Sequence, residues 1–187
     1  LSNVDLRDAK SPEEFARRIG VFAKNVPKGQ WILGGDWDHE KWPGTPLPTK
    51  EMIDAVTPDN PVFVNRTDGH MALANSLAIK LAKFPSDSKE IPGGMVVRDS
   101  NTGEPTGIFK DAAMDSIYKA IPDKSFAENL VAARAATAHA ASMGLTSVQD
   151  MSAGNDVGLY QSMMERGELK NRIYAVRSIL SWETLAN

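Results

Sequence analysis

The chain has 187 residues, with 21 Lys and Arg against 24 Asp and Glu and a formal net charge of -3. That balance lacks the basic surplus expected of a nucleic-acid or anionic-membrane binder. Hydrophobic residues make up 42%, no apolar run could span a bilayer, and there is no cysteine for disulfides or thiolate metal sites.

This composition suits one globular domain with a real core. The absence of cysteine also fits a cytoplasmic origin. Leu1 opens no signal-peptide pattern, and a start at Leu rather than Met leaves the native N-terminus open. No repeat or low-complexity tract interrupts the chain.

The elements alternate between helix and strand. Ser11-Pro12-Glu13-Glu14 opens a helix with Ser as N-cap and Pro at the first helical position. Phe15, Ile19 and Phe22 form its apolar stripe, and it should stop before Pro27. Trp31 to Trp37 reads as a short strand. Residues 42–49 hold three prolines and read as loop, followed by a short helix over Lys50 to Val56. Pro61 to Arg66 is an apolar strand, and Met71 to Phe84 reads as a helix. Pro92-Gly93-Gly94 is a turn, and MVVRD and TGIF then flank a second turn at residues 101–105, which predicts a β-hairpin.

From Asp111 the pattern predicts a helix to Ile121, with Asp111 as its natural N-cap. Ser125 to Glu128 is a capping box that opens an Ala-rich helix to Met143, stopped by Gly144. Leu145 to Gln149 reads as a buried strand, Asp156 to Arg166 as a helix, and Arg172 to Ser178 as another strand. A further helix start lies at Ser181-Trp182-Glu183. Strands and helices at this spacing predict parallel βαβ units. Residues 85–124 read as a Gly/Pro-rich insertion between two such units, within a single fragment of a larger α/β layer or barrel.

Side chains that do chemistry in α/β folds sit on the loops after parallel strands. Three places qualify: Arg66-Thr67-Asp68-Gly69-His70 after PVFVN, Lys110-Asp111 after GIF, and Gln149-Asp150 after LTSV. A His at a helix start tends to stay neutral and can hydrogen-bond a substrate or accept a proton, although it can equally cap the helix. Asp68 can orient His70 but better suits a turn, Asp111 suits a cap, Lys110 can meet a substrate anion but better suits a solvated position, and Asp150 suits either a backbone turn or a ligand contact. His39 lies between Trp37 and Trp42, where aromatic and charged groups can line a cleft or simply pack the loop. His139 sits mid-helix and reads as structural. There is no HxH, HExxH, GxSxG, P-loop or GxGxxG motif, so no self-contained catalytic apparatus is legible.

Three strings carry a resemblance: GQWILGGDWDHEKWPGTPLPTKEMIDAVTPDNPVFVNRTDGHMALANSLAI, IPGGMVVRDSNTGEPTGIFKDAAMD and HAASMGLTSVQDM. Together they span about Lys28 to Val176, and their order and content resemble amidohydrolase family 3, the N-substituted formamide deformylase-like metal-dependent hydrolases. The resemblance implies part of a (β/α)8 TIM barrel. It also implies one or two divalent metals, usually zinc, that activate water for attack on an amide or related C–N bond. In that family an HxH pair, a lysine, two further histidines and an aspartate hold the metals. By position those would fall before Leu1 and after Asn187, so no metal ligand is assigned to this chain and no metal is expected in it. What carries over is Asp68, Gly69, His70 and Asn75, then Lys110 and Asp111, then Asp150, as substrate contacts. Trp37 joins them from the WDHEKW segment. The best single candidate for catalysis is His70.

An interior hydrolase fragment, inactive alone, is therefore the leading reading. A stand-alone α/β ligand-binding module is the alternative, and a scaffold or oligomerisation domain a third. A partial barrel leaves open strand edges, so a homo-oligomer is expected. The partner implied for the parent is a small-molecule substrate.

Overall fold

The computed structural model describes residues 3–85, 91–151 and 156–176. The chain divides into two compact units, Leu1–Pro122 and Asp123–Asn187.

The first unit is built on a six-stranded mixed sheet. Strands β1 (Val4–Asp5), β2 (Ile32–Trp37) and β3 (Val62–Arg66) are parallel neighbours. Helix α1 (Pro12–Ala23) joins β1 to β2, and α2 (Lys50–Asp54) joins β2 to β3. These are the expected βαβ connections, since parallel strands need a crossover of this length. Ser11 accepts a hydrogen bond from the Glu14 amide, and Glu14 accepts one from the Lys10 amide, so α1 starts where the capping residues dictate.

Beyond β3 the sheet turns antiparallel. Strand β4 (Met71–Ala74) pairs with β3, β6 (Pro105–Asp111) with β4, and β5 (Gly94–Arg98) with β6. The order is β1-β2-β3-β4-β6-β5. The β5–β6 pair is the hairpin that the two runs around residues 101–105 predict. It lies within residues 85–124 and extends the sheet through β4.

Two expected helices are corrected. Met71–Ala74 is strand, and only Ser76–Leu81 is helical (α3). The Thr67-Asp68-Gly69-His70 turn folds β4 back on β3, with Gly69 at φ +75° and its amide bonded to the Arg66 carbonyl. Met71 to Ala74 are all buried. A strand covered on both faces has no polar residues to reveal its period of two. Likewise β6 runs on through Asp111, so the helix expected from that residue is delayed. A 3-10 turn over Ala112–Met114 and a short α4 (Asp115–Tyr118) follow.

The strand period sorts the core onto two faces. Val62, Val64, Met71, Leu73 and Ile108 pack with Phe15, Ile19, Trp37, Trp42 and Ile53. Phe63, Ala72, Phe109 and Ala113 pack on the other face with Met114 and Ile117.

The second unit holds α5 (Phe126–Ser142), β7 (Ser147–Asp150), α6 (Asp156–Glu165) and β8 (Arg172–Ala175). Ser125 and Glu128 form the full capping box, and Gly144 takes φ +79° beyond the helix end. β7 and β8 pair in parallel. Leu130, Leu159 and Met163 form the buried cluster. The strand expected to be buried here is half-exposed along β7. The helix start expected at Ser181 and the end of the last strand at Ser178 lie outside the described residues. Among the described residues, no helix is long and apolar enough to cross a membrane.

Candidate functional site

Topology brings the candidate residues of the first unit to one sheet edge. The C-terminal ends of β1, β2 and β3 lie together because these strands are parallel. β4 runs antiparallel to β3, so it begins at this edge. β6 runs antiparallel to β4, so it ends there. The register gives Trp37 opposite Arg66 and Met71 opposite Lys110. Asp38, His39, Glu40, Arg66, Asp68, His70, Lys110 and Asp111 therefore gather on one rim.

Arg66 organises the rim; its position after the strand puts it in a candidate segment, but the sequence assigns it no role. Its guanidinium donates to Asp68 at 2.7 Å and to Glu40 at 2.7 Å, with Asp38 at 3.8 Å. Its side chain is only 16% exposed, which protects these pairs from full solvent screening. The phase of β3 was the available signal, because Arg66 follows Val62 and Val64 at the strand period, and those two pack with Trp37 and Trp42. The Arg66 Nε and the His39 Nδ1 are both buried without a hydrogen-bond partner among the described residues. Burial holds His39 below the usual histidine value, and the Arg66 and Lys110 charges act in the same direction against Glu40 and Asp38. His39 stacks edge-on against Trp37, with ring centroids 5.9 Å apart.

His70 and Asp111 form a pair. The His70 Nδ1 lies 2.9 Å from an Asp111 carboxylate oxygen. The Asp111 amide donates to the His70 carbonyl at 3.1 Å, and the His70 amide donates to Asp68 at 3.1 Å. Asp111 makes no side-chain cap to the turn that follows it, so the N-cap role expected for it is not used. Its backbone sits at φ 49°, ψ −130°, a conformation that disfavours any residue with a Cβ. Lys110 is half-buried beside them.

The other expected residues are placed elsewhere. Trp37 is fully buried and donates its indole N–H to the Val64 carbonyl at 2.9 Å, so its polar group is committed to the fold. Asn75 is also buried. It accepts from the Val62 and Ala78 amides and donates to Thr57 and Asn60. Neither offers a group to a ligand in this structure. Asp150 belongs to the second unit, where it accepts a hydrogen bond from the Tyr160 hydroxyl at 2.7 Å. A cavity of about 220 Å3 lies at the opposite end of β4 and β6 from His70, lined by Lys50, Lys80, Lys83, Phe84 and Glu104 among others.

No group of three or more His, Asp or Glu able to hold a metal ion occurs among the described residues. Of the rim carboxylates, Asp38, Glu40 and Asp68 face Arg66, and Asp111 is paired with His70. These residues do not fit a metal centre on their own.

The sequence pattern of the Amidohydrolase family matches residues 1–187. This chain belongs to the amidohydrolase family. It is 39% identical over 151 residues to Protein LONG AFTER FAR-RED 3 of Arabidopsis thaliana, covering 81% of this chain and 26% of that protein. It is 32% identical over 108 residues to N-substituted formamide deformylase of Arthrobacter pascens, covering 58% and 20%. Among solved structures it resembles a metal-dependent hydrolase of Pyrococcus furiosus described as uncharacterized. That match has 28% identity and a TM-score of 0.63, and covers 99% of this chain and 36% of the other. The chain thus spans about a quarter of the length of its curated relatives.

Proposed function

We propose that this amidohydrolase chain is part of the catalytic (β/α)8 barrel of a metal-dependent hydrolase that cleaves an amide or related C–N bond. The observation that carries the reading is the rim itself. A histidine, its carboxylate partner and a half-buried lysine stand at strand ends in a chain of amidohydrolase sequence. Strand-end loops are where α/β enzymes place substrate contacts. A divalent metal, with zinc the first expectation, supplies an activated water and a polarised carbonyl when bound. Its ligands belong to polypeptide other than the residues described.

His70, Asp111, Lys110 and Asp68 are the proposed substrate-facing residues of the first unit. Asp150 is proposed for the second. A small amide is the proposed substrate class, and the isolated chain is expected to be inactive.

The test is expression of the full-length protein with and without added zinc, screened against N-acyl and N-formyl compounds. Chelator-sensitive turnover by the full-length protein, with none from residues 1–187 alone, is expected. Robust turnover from the isolated chain, or a tightly held equivalent of zinc in it, overturns the assignment of ligands elsewhere.

A further inference from the structure

We propose that His70 is the proton donor to the departing nitrogen in this reaction, with Asp111 as its positioning residue. The inference rests on the hydrolase reading above and adds a chemical role to one side chain of that rim.

The geometry argues for a role beyond contact. An imidazole can present either nitrogen, and its partner decides which. Asp111, lying 2.9 Å from Nδ1, accepts a hydrogen bond from Nδ1–H and so leaves Nε2 as the working nitrogen. His70 is 76% exposed on its side chain, so Nε2 can reach a substrate. The pair is over-determined by the backbone. The Asp111 amide binds the His70 carbonyl, and the Asp68 carboxylate holds the His70 amide. Two adjacent strands therefore fix both Cα positions, and rotation of either side chain is all that remains to be set by the pair itself.

Asp111 also carries a cost. Its φ of 49° and ψ of −130° lie outside the regions that L-residues adopt freely. Such strain persists where surrounding structure enforces it, and it gathers at functional sites. A plain loop carboxylate gains nothing from this conformation. A carboxylate aimed at the inner nitrogen of a histidine does. The other charged groups near the pair are Asp68 of the β3–β4 turn, Arg66 at the end of β3 and Lys110 beside Asp111. Arg66 is already matched by Asp68 and Glu40.

The step balances as follows. Water oxygen bonds to the carbonyl carbon, and the C–N bond breaks with its electron pair going to nitrogen. The imidazolium gives its Nε2 proton to that nitrogen, which leaves as the neutral amine. His70 is left neutral and recovers the proton that water releases. Asp111 keeps its hydrogen bond to Nδ1–H throughout and stabilises the charged imidazolium.

The experiment uses the full-length protein with its metal and two substrates of one acyl group, an N-acyl alkylamine and an N-acyl p-nitroaniline. The alkylamine departs only when protonated, whereas the nitroaniline leaves readily without a donor. In His70→Gln, kcat should fall about 100-fold or more for the alkylamide and far less for the nitroanilide. The ratio of the two rates within one preparation does not depend on how much of the variant folds. Asp111→Asn should move the same ratio in the same direction by less, and added imidazole should restore alkylamide turnover in His70→Gly. Equal losses on both substrates, or no loss on either, overturn the proton-donor role while leaving the hydrolase reading intact. Absence of amide turnover by the wild-type protein overturns both.

Discussion

Asn75 shows how one side chain can hold three elements. It is buried at 1% exposure, accepts from the amides of Val62 on β3 and Ala78 on α3, and donates to Thr57 and Asn60 in the loop before β3. Replacing it with Ala strands two buried N–H donors and removes the α3 cap. We expect Asn75→Ala to lower the stability of the first unit by about 2–4 kcal/mol, read by urea unfolding. A loss under about 1 kcal/mol would mean that water replaces these bonds. The sequence placed Asn75 beside the Asp68-Gly69-His70 motif, and proximity along the chain suggested a ligand contact. Its direction was not legible, because one residue of register decides which face of a β-hairpin a side chain occupies. The same ambiguity hid the His70–Asp111 pair, since the partners are 41 positions apart and meet only through the β4–β6 pairing.

Elements with strong local signals formed as read. Ser11 and Ser125 cap their helices through the residues the sequence offers, and the hairpin around residues 101–105 forms as expected. The misread segments, Met71–Ala74 and the stretch after Asp111, are apolar on every side or switch geometry at a strained residue. In both cases tertiary burial decides the outcome, and local propensity does not. The β7–α6 pair adds a pH dependence that belongs to this scale. Burial first, and then the hydrogen bond and charge of Asp150, push the Tyr160 hydroxyl up to about 12 from its ordinary 10.0. A folded value above the unfolded one means that the contribution is complete below pH 10. It is lost progressively as pH rises toward about 12, where the unfolded chain ionises first. Urea midpoints of the second unit should therefore decline across this window. Tyr160→Phe should remove that decline, at a cost of about 1 kcal/mol at neutral pH for the lost hydrogen bond. A decline of equal steepness in the variant would assign it to another group.

At the scale of the whole molecule the two units differ in how well they cover themselves. The first buries both faces of its sheet, with α1 and α2 packed on one and α3 and α4 on the other. In the second, among the described residues, Phe126, Val131, Met143, Leu145, Met151, Met164 and Tyr174 are each more than half exposed. Scattered apolar residues are ordinary on a surface, but seven among the described residues of one small unit exceed what that unit can shield. Under the barrel reading these surfaces and the edges of β7 and β8 meet further polypeptide in the full-length protein. In residues 1–187 alone they are free to meet another copy. Light scattering should accordingly give a mass of at least twice 20.3 kDa for the isolated chain at tens of micromolar. Val131→Glu together with Met143→Lys should shift it toward the monomer without unfolding either unit, because both positions are solvent-facing. A monodisperse 20.3 kDa species for the unaltered chain would show that the exposed face is tolerated in water, and that self-association plays no part in its stability.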